Sequence, residues 1–520
     1  MERLSSRNKM KVALLGACVL TMATAVQASA FENEFHGSYM LKYFISNYEQ
    51  GGAGAILSGP TPAFPSGNTT SNLRINNYFE QRARLFYTAK ASDDLKLVTG
   101  FEMDSVWGDK AQGALTAANS NATASTTTAA FRNSGGALES DAVNLETKWV
   151  YLDFKIPATP TRVRAGIQPF KDSIKGVMFD FDAAGISAST QVNAATFNTA
   201  YIRGYDQSYF SVGSPMNQAN VRGNQNLDIG VVELKYALNK SANVGAAYYI
   251  YGDGRPLYLS ATATTPVDTS TQVHAFGLTG DAKVGPVALS GFAAYQGGIL
   301  RNVNSNGDSA FLNAFAYNVA GKMDVGPGTL KTALLFTSGN DNNASTLKSK
   351  HLTGWVTVNQ SPDAIWGVSS VSSYNESGMI LLNRNNLTSG PTTENMMVYN
   401  MGNGTTPINQ QGLYLYTIGY DANITPKLSA SLNAGAAWAA HTNALKPTDK
   451  HNNIQNASNY MGTELNIVTN YKLYDNLEAK IQAAYVFLGG FYKNSVLNGK
   501  NAVADPESPY TARVVLQYSF

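Results

Sequence analysis

The chain ends in Tyr510-Thr-Ala-Arg-Val-Val-Leu-Gln-Tyr-Ser-Phe520, and the reading of this stretch decides the fold. Successive side chains of an extended strand point to opposite faces. Ala512, Val514, Leu516, Tyr518 and Phe520 therefore share one face. Thr511, Arg513, Gln517 and Ser519 share the other, with Val515 the one apolar residue on that wet side. A greasy face, a wet face and an aromatic carboxyl terminus predict the closing strand of a transmembrane β-barrel.

The same alternation recurs upstream. In 477–487 the outward set Leu477, Ala479, Ile481, Ala483, Tyr485 and Phe487 alternates with Glu478, Lys480 and Gln482. In 428–438, Leu428, Leu432 and Trp438 alternate with Ser429, Ser431 and Asn433. The first strand is read at 35–47, and others at 73–90, 95–107, 143–156 and 162–168. Short turns at 91–94, 157–160, 239–240, 284–286, 325–328, 424–427 and 474–476 oppose long polar loops, among them the Ala/Ser/Thr/Asn-rich segment 108–142. This spacing predicts an all-β, antiparallel transmembrane barrel of about 18 strands, with 16 to 20 the accepted range. The count of eighteen needs two strands within 185–206, turning near Asn193, and one long outer excursion over 339–411. A lumen of this girth holds water rather than a packed interior.

Residues 1–30 read as a cleaved signal peptide, and 31–520 as a single barrel domain. Arg3, Arg7, Lys9 and Lys11 precede a mostly apolar run, and Ala28-Ser29-Ala30 is a small-residue cleavage site. Leu15-Gly16-Ala17-Cys18 offers a competing lipoprotein box. With cleavage after Ala30 the sole cysteine leaves with the leader, which excludes disulfides and c-type haem attachment in the mature chain. The leader takes four basic residues and one acidic from totals of 38 and 36, leaving 34 against 35. That balance gives no case for nucleic acid as a partner. Charged residues are only 14% of the chain, which suits a lipid-facing surface better than a soluble one.

Parity assigns the lumen. Phe79, Ala83, Leu85 and Tyr87 face lipid, so Glu80, Arg82 and Arg84 face inward. Leu97, Phe101 and Met103 turn Lys96, Glu102 and Asp104 inward. Val163, Ala165 and Ile167 do the same for Arg162, Arg164 and Gln168. A charge turned to lipid would cost ~2–4 kcal/mol at midplane, so the inward assignment is favoured. Arg82, Arg84, Arg162 and Arg164 are expected on one wall near a constriction, with Asp180 and Asp182 on the facing side. Opposed charges of this kind orient dipolar solutes and filter ions. The plainer reading makes them wet ion pairs without a role in selectivity.

Taken together, these features resemble Gram-negative outer-membrane porins. Phe520 after Tyr518 resembles the signal that barrel-assembly machinery reads. Arg162-Val-Arg-Ala-Gly-Ile-Gln-Pro-Phe170 followed by Phe179-Asp-Phe-Asp182 resembles the segment leading to the inward-folded loop of substrate-selective porins and alginate-export-type barrels. The resemblance implies a Gram-negative outer-membrane location and a water-filled channel for passive or weakly selective diffusion of small hydrophilic solutes and ions. It also implies contact with outer-membrane lipid and lipopolysaccharide, and a homotrimer as one assembly. No cofactor or metal is expected: His36, His274, His351, His441 and His451 lack ligand spacing. Asn304-Ser-Asn-Gly-Asp308 lacks the leading Asp and distal Glu of a calcium loop. No catalytic set is visible, so an enzyme is not expected. The alternative is a barrel sheath around a separate multihaem cytochrome, since this chain holds no Cys-x-x-Cys-His of its own.

Overall fold

The computed structural model describes residues 32–47, 75–107, 145–206, 226–254, 271–301, 308–340, 350–358, 374, 376, 378–382, 412–441, 458–493, 496–497, 503–505 and 507–520. Residues 1–30, read above as a signal peptide, the proline-containing stretch 59–65 and the segment 108–142 lie outside the described residues.

Eighteen strands close into an antiparallel transmembrane barrel. They are β1 (Glu32–Ser46), β2 (Asn76–Ser92), β3 (Leu95–Val106), β4 (Glu146–Lys155), β5 (Thr161–Lys171) and β6 (Asp180–Val192). Next come β7 (Ala195–Asp206), β8 (Asn226–Asn239), β9 (Ala242–Asp253), β10 (Thr271–Val284), β11 (Val287–Leu300) and β12 (Ala310–Val325). The last six are β13 (Gly328–Thr337), β14 (Leu413–Asn423), β15 (Leu428–Ala439), β16 (Tyr460–Tyr474), β17 (Leu477–Leu488) and β18 (Tyr510–Ser519). Each pairs with its chain neighbours, and β18 pairs with β1 from Ser38↔Ser519 to Ser46↔Thr511. Closure satisfies the backbone polar groups that an open edge would strand in hydrocarbon. The seam is sealed at its lower end by Gly37 N–H donating to Phe520 O (2.9 Å) and Phe520 N–H to Gly37 O (3.1 Å). A Cβ at Gly37 would come within 2.4 Å of Arg84 O and 2.7 Å of the Phe520 ring, so this close approach requires glycine.

The outer surface follows the alternation. Val514, Leu516, Tyr518 and Phe520 are exposed, whereas Thr511, Arg513 and Val515 are buried on the opposite face. Aromatic rings cluster towards both rims: Tyr43, Phe79 and Trp107 pack in series at the long-loop end, and Tyr518 stacks on Phe520 at the short-turn end. Such girdles sit at the two membrane interfaces. β6 and β7 turn at Asn193, which takes φ 53°, and this gives the two strands that the sequence required within 185–206.

One element departs from expectation. The outer excursion after β13 enters the barrel. Residues 350–358 and 378–382 lie against the inner wall, with Trp355, Val356, Val358, Met379, Ile380, Leu381 and Leu382 buried. His351–Leu352 runs parallel to Phe311–Leu312 of β12. The shorter segment 172–179 between β5 and β6 folds inward too, as the resemblance at 162–170 and 179–182 implies, burying Ile174, Val177, Met178 and Phe179. The inner wall is thus covered by packed apolar chain over β8–β16, whereas the inward side of β1–β5 carries charged residues. A run of apolar side chains emerging on an outer loop has no hydrocarbon to enter, and the inner wall supplies the apolar surface that removes it from water.

Candidate functional site in the lumen

On β1–β5 the inward positions carry charge, and the register pairs opposite signs directly across strands. Lys42 faces Glu80, Arg82 faces Asp104 and Arg84 faces Glu102. Lys42 Nζ donates to Glu80 Oε1 at 3.1 Å, both side chains being almost fully buried. Arg82 grips Asp104 with two prongs, Nε to Oδ1 at 2.6 Å and Nη2 to Oδ2 at 2.5 Å, and reaches Glu102 at 3.4 Å. Arg84 donates through Nε to Glu102. On β4 and β5, Arg162 and Arg164 share one carboxylate, Asp153, with Arg164 Nε at 3.3 Å. Arg162 turns its other nitrogens to Asp93 O at 3.3 Å. Arg164 lies over the Tyr151 ring, 5.7 Å from its centroid.

The four arginines therefore meet three carboxylates, Glu102, Asp104 and Asp153. Exposure divides the four. The Arg82 side chain is 10% accessible and that of Arg164 is 46%. A bidentate pair removed from water is held by geometry as well as charge, so Arg82 is a structural member of the wall. Arg164 is the most accessible of the four.

Asp180 and Asp182 require a correction. They do not line a facing side. β5 and β6 are adjacent, with Lys171↔Asp180 and Pro169↔Asp182 in register. Both acids share the outward face of Ile186, which is 55% exposed, and not the inward face of Phe170 and Phe181. At the rim Asp180 pairs with Lys171 at 2.9 Å. Asp182 accepts from Lys148 at 2.6 Å and from the Trp149 indole at 2.7 Å. The parity of β6 was legible from Ile186 itself; the adjacency of the two strands was not.

The opposite wall, β8–β16, has a different chemistry. Many of its inward residues are small and apolar, among them Ala275, Ala294, Ala314, Ala316 and Ala437, all buried, set among larger groups such as Tyr249 and Gln296. The two infolded segments cover them and join each other: the Trp355 indole donates to Val177 O at 3.0 Å, and Val358 N–H to Met178 O at 3.0 Å. Gln296 on β11 clamps Val356 through both its backbone groups. Glycine marks each close approach. A Cβ at Gly435 would meet Met379 Sδ at 2.4 Å, and one at Gly277 would meet Ile174 Cγ2 at 2.8 Å.

Three charged groups anchor these segments, and sequence reasoning passed over all of them. Glu464 on β16, fully buried, accepts backbone N–H bonds from Ile380 (2.7 Å), Leu381 (2.9 Å) and Leu382 (2.7 Å). Asp172 closes the other segment, accepting from Gly176, Met178 and Phe179 at 2.6–2.7 Å. Burial pushes the Asp172 carboxyl up to about 7, against the pull of those three donors and with a further push from the charge of Glu233. Lys175 links the segments, its Nζ reaching Glu376 (2.7 Å), Asn318 (2.6 Å) and Ser290 (2.9 Å). Inward parity between Asn466 and Gly462 could have flagged Glu464. Nothing local marks Lys175, because its partners Ser290, Asn318 and Glu376 lie far away in sequence. Asp172 bonds within its own segment, but its burial follows from the packing of that segment against distant strands.

No protein-family profile matches the chain, and no curated protein matches it in sequence. Solved structures similar to it include Acinetobacter baumannii OccAB1, at 10% identity and TM-score 0.48, covering 95% of this chain and 99% of that one. The outer membrane protein OpdK of Pseudomonas aeruginosa shows 10% identity and TM-score 0.48, with 94% and 98% covered. Pseudomonas aeruginosa OccK3 shows 11% identity and TM-score 0.45, with 94% and 96% covered.

Proposed function

We propose that this chain is a Gram-negative outer-membrane channel that passes small hydrophilic solutes and ions by diffusion, with weak selectivity. The observation that carries the reading is the inward charged wall of β1–β5, whose ions pair across strands inside a closed barrel with an apolar exterior. Such a wall is of use only to water and to what water carries. The infolded segments narrow the path from the other side, leaving the Arg164 end of the wall as its accessible part.

The sheath alternative is less well supported. Residues 350–358 and 378–382 occupy lumen that a cytochrome domain would need, and they are anchored to the wall by Glu464 and Gln296. Liposome swelling with solutes of graded size and charge tests the channel. Small sugars and amino acids should enter at rates that fall steeply with size. Swelling no faster than protein-free vesicles would end the channel reading.

A further inference from the structure

A cavity of about 530 Å³ lies along the inner faces of β5–β8, beneath Phe179 of the short infolded segment. Four charged residues line it: Arg162, Arg164, Lys171 and Glu233. Two are committed elsewhere. Arg162 is spent on Asp153 and the Asp93 carbonyl, and Lys171 on Asp180. Arg164 keeps Nη1 and Nη2 beyond its single bond to Asp153. Glu233 has no cationic partner among the described residues; its donors are the neutral Ser173 N–H (2.9 Å) and Tyr249 hydroxyl (2.6 Å).

The two tethers pull in opposite directions. Asp153 is on β4, across β5 from the cavity, and Tyr249 is on β9, across β8 from it. The cationic and anionic tips are therefore held apart by the width of the site. From β5 to β8 are three strand intervals of ~4.8 Å, roughly 14 Å of wall. A charge-assisted hydrogen bond of ~2.8 Å at each end leaves about 8 Å for the bound molecule. Between the ends, Ser189 Oγ donates to Asn198 Oδ1 at 2.8 Å, so the Asn198 amide nitrogen remains a donor to the cavity. A simple anion filling this space would bring its charge towards Glu233, and a simple cation towards Arg164.

We propose that this cavity binds a zwitterion with well-separated charges, its carboxylate on Arg164 and its ammonium on Glu233. The proposal uses the channel reading only for how the solute arrives. Its test is equilibrium binding to the full-length, detergent-solubilised barrel by titration calorimetry, which needs no ion flow, so failure here leaves liposome swelling untouched. The probes are 6-aminohexanoate, whose extended chain matches the span, 3-aminopropanoate, which is too short, and hexanoate, which lacks the ammonium.

The proposal expects 6-aminohexanoate to bind about tenfold more tightly than either other probe, the effect of one charged contact. Glu233→Gln should abolish the preference over hexanoate, and Arg164→Gln should weaken both. Glu233→Asp, which keeps the charge but retracts it, should move the optimum towards 7-aminoheptanoate. Equal affinity for all three probes would overturn the proposal. So would absence of 6-aminohexanoate binding to a barrel shown folded by circular dichroism, or a preference that survives Glu233→Gln.

Discussion

The two walls of the lumen are filled by opposite means. On β1–β5 long charged residues neutralise one another across strands, Arg82 on Asp104 and Lys42 on Glu80. On β8–β16 small residues such as Ala275 and Ala316 make room for another piece of chain, and Glu464 on the wall and Lys175 in the infolded segment hold that chain in place. One wall is finished by the strands themselves. The other is complete only when residues far away in sequence fold onto it. The first wall should therefore fail locally when a partner is removed, and the second should fail by releasing a segment.

The largest effect is expected from Glu464→Ala. It leaves the N–H groups of Ile380, Leu381 and Leu382 without their acceptor, at a cost of about 1–3 kcal/mol for each buried group. The barrel ladder does not involve this side chain. The variant should keep its strand content by circular dichroism while protease cleaves within 378–382. Protection equal to wild type would show that Glu464 does not anchor the segment.

On the charged wall, Arg82→Ala should cost about 3–5 kcal/mol by leaving Asp104 buried without its cation. Removing Asp104 as well should restore much of the loss. Thermal unfolding of the two single variants and the double variant measures the coupling, and strict additivity would mean that the pair contributes nothing beyond its members.

A smaller effect is expected from pH. The Asp172 carboxyl sits at about 7 in the folded protein against an ordinary value of 3.8. Between these values the folded state holds a proton that the unfolded state has lost. Its contribution to stability is complete below 3.8 and declines as pH rises through 7. Hydrogen exchange in 172–179 should accordingly quicken from pH 5 to pH 8, after correction for intrinsic rates, and Asp172→Asn should flatten the trend. An unchanged trend in that variant would place the titrating group elsewhere.

The smallest effect is electrostatic. Arg84→Gln removes a partly exposed cation and leaves Glu102 with Arg82. Reversal potentials in a salt gradient should move towards cations, most visibly near 0.01 M salt, where the Debye length is ~30 Å.

The contrast also explains what could be read from sequence. The barrel was legible because lipid imposes alternation on every strand: Val514, Leu516 and Tyr518 fix the outward face of β18 whatever lies inside. The inward identity of Arg82 and Arg84 follows from the same rule. Their partners do not, because register joins Arg82 to Asp104 through the length of a turn that parity alone leaves open. The infolding of the long excursion after β13 was hidden for another reason. Residues 350–358 and 378–382 have no periodicity of their own, since they pack against a wall instead of forming one. That wall shows in large part as alanines and glycines, residues that suit either face. Asp180 and Asp182 were misplaced because the chain returns directly beside β5 instead of crossing the lumen.

The central claim is a barrel left open along its charged wall and filled along the other, and single-channel recording in planar bilayers tests it most directly. The account predicts stepwise conductance in the wild-type protein, and larger steps in Glu464→Ala as the anchored segment leaves the lumen. A wild-type barrel that is folded by circular dichroism yet gives no steps, or a Glu464→Ala variant with released segment and unchanged steps, would contradict it.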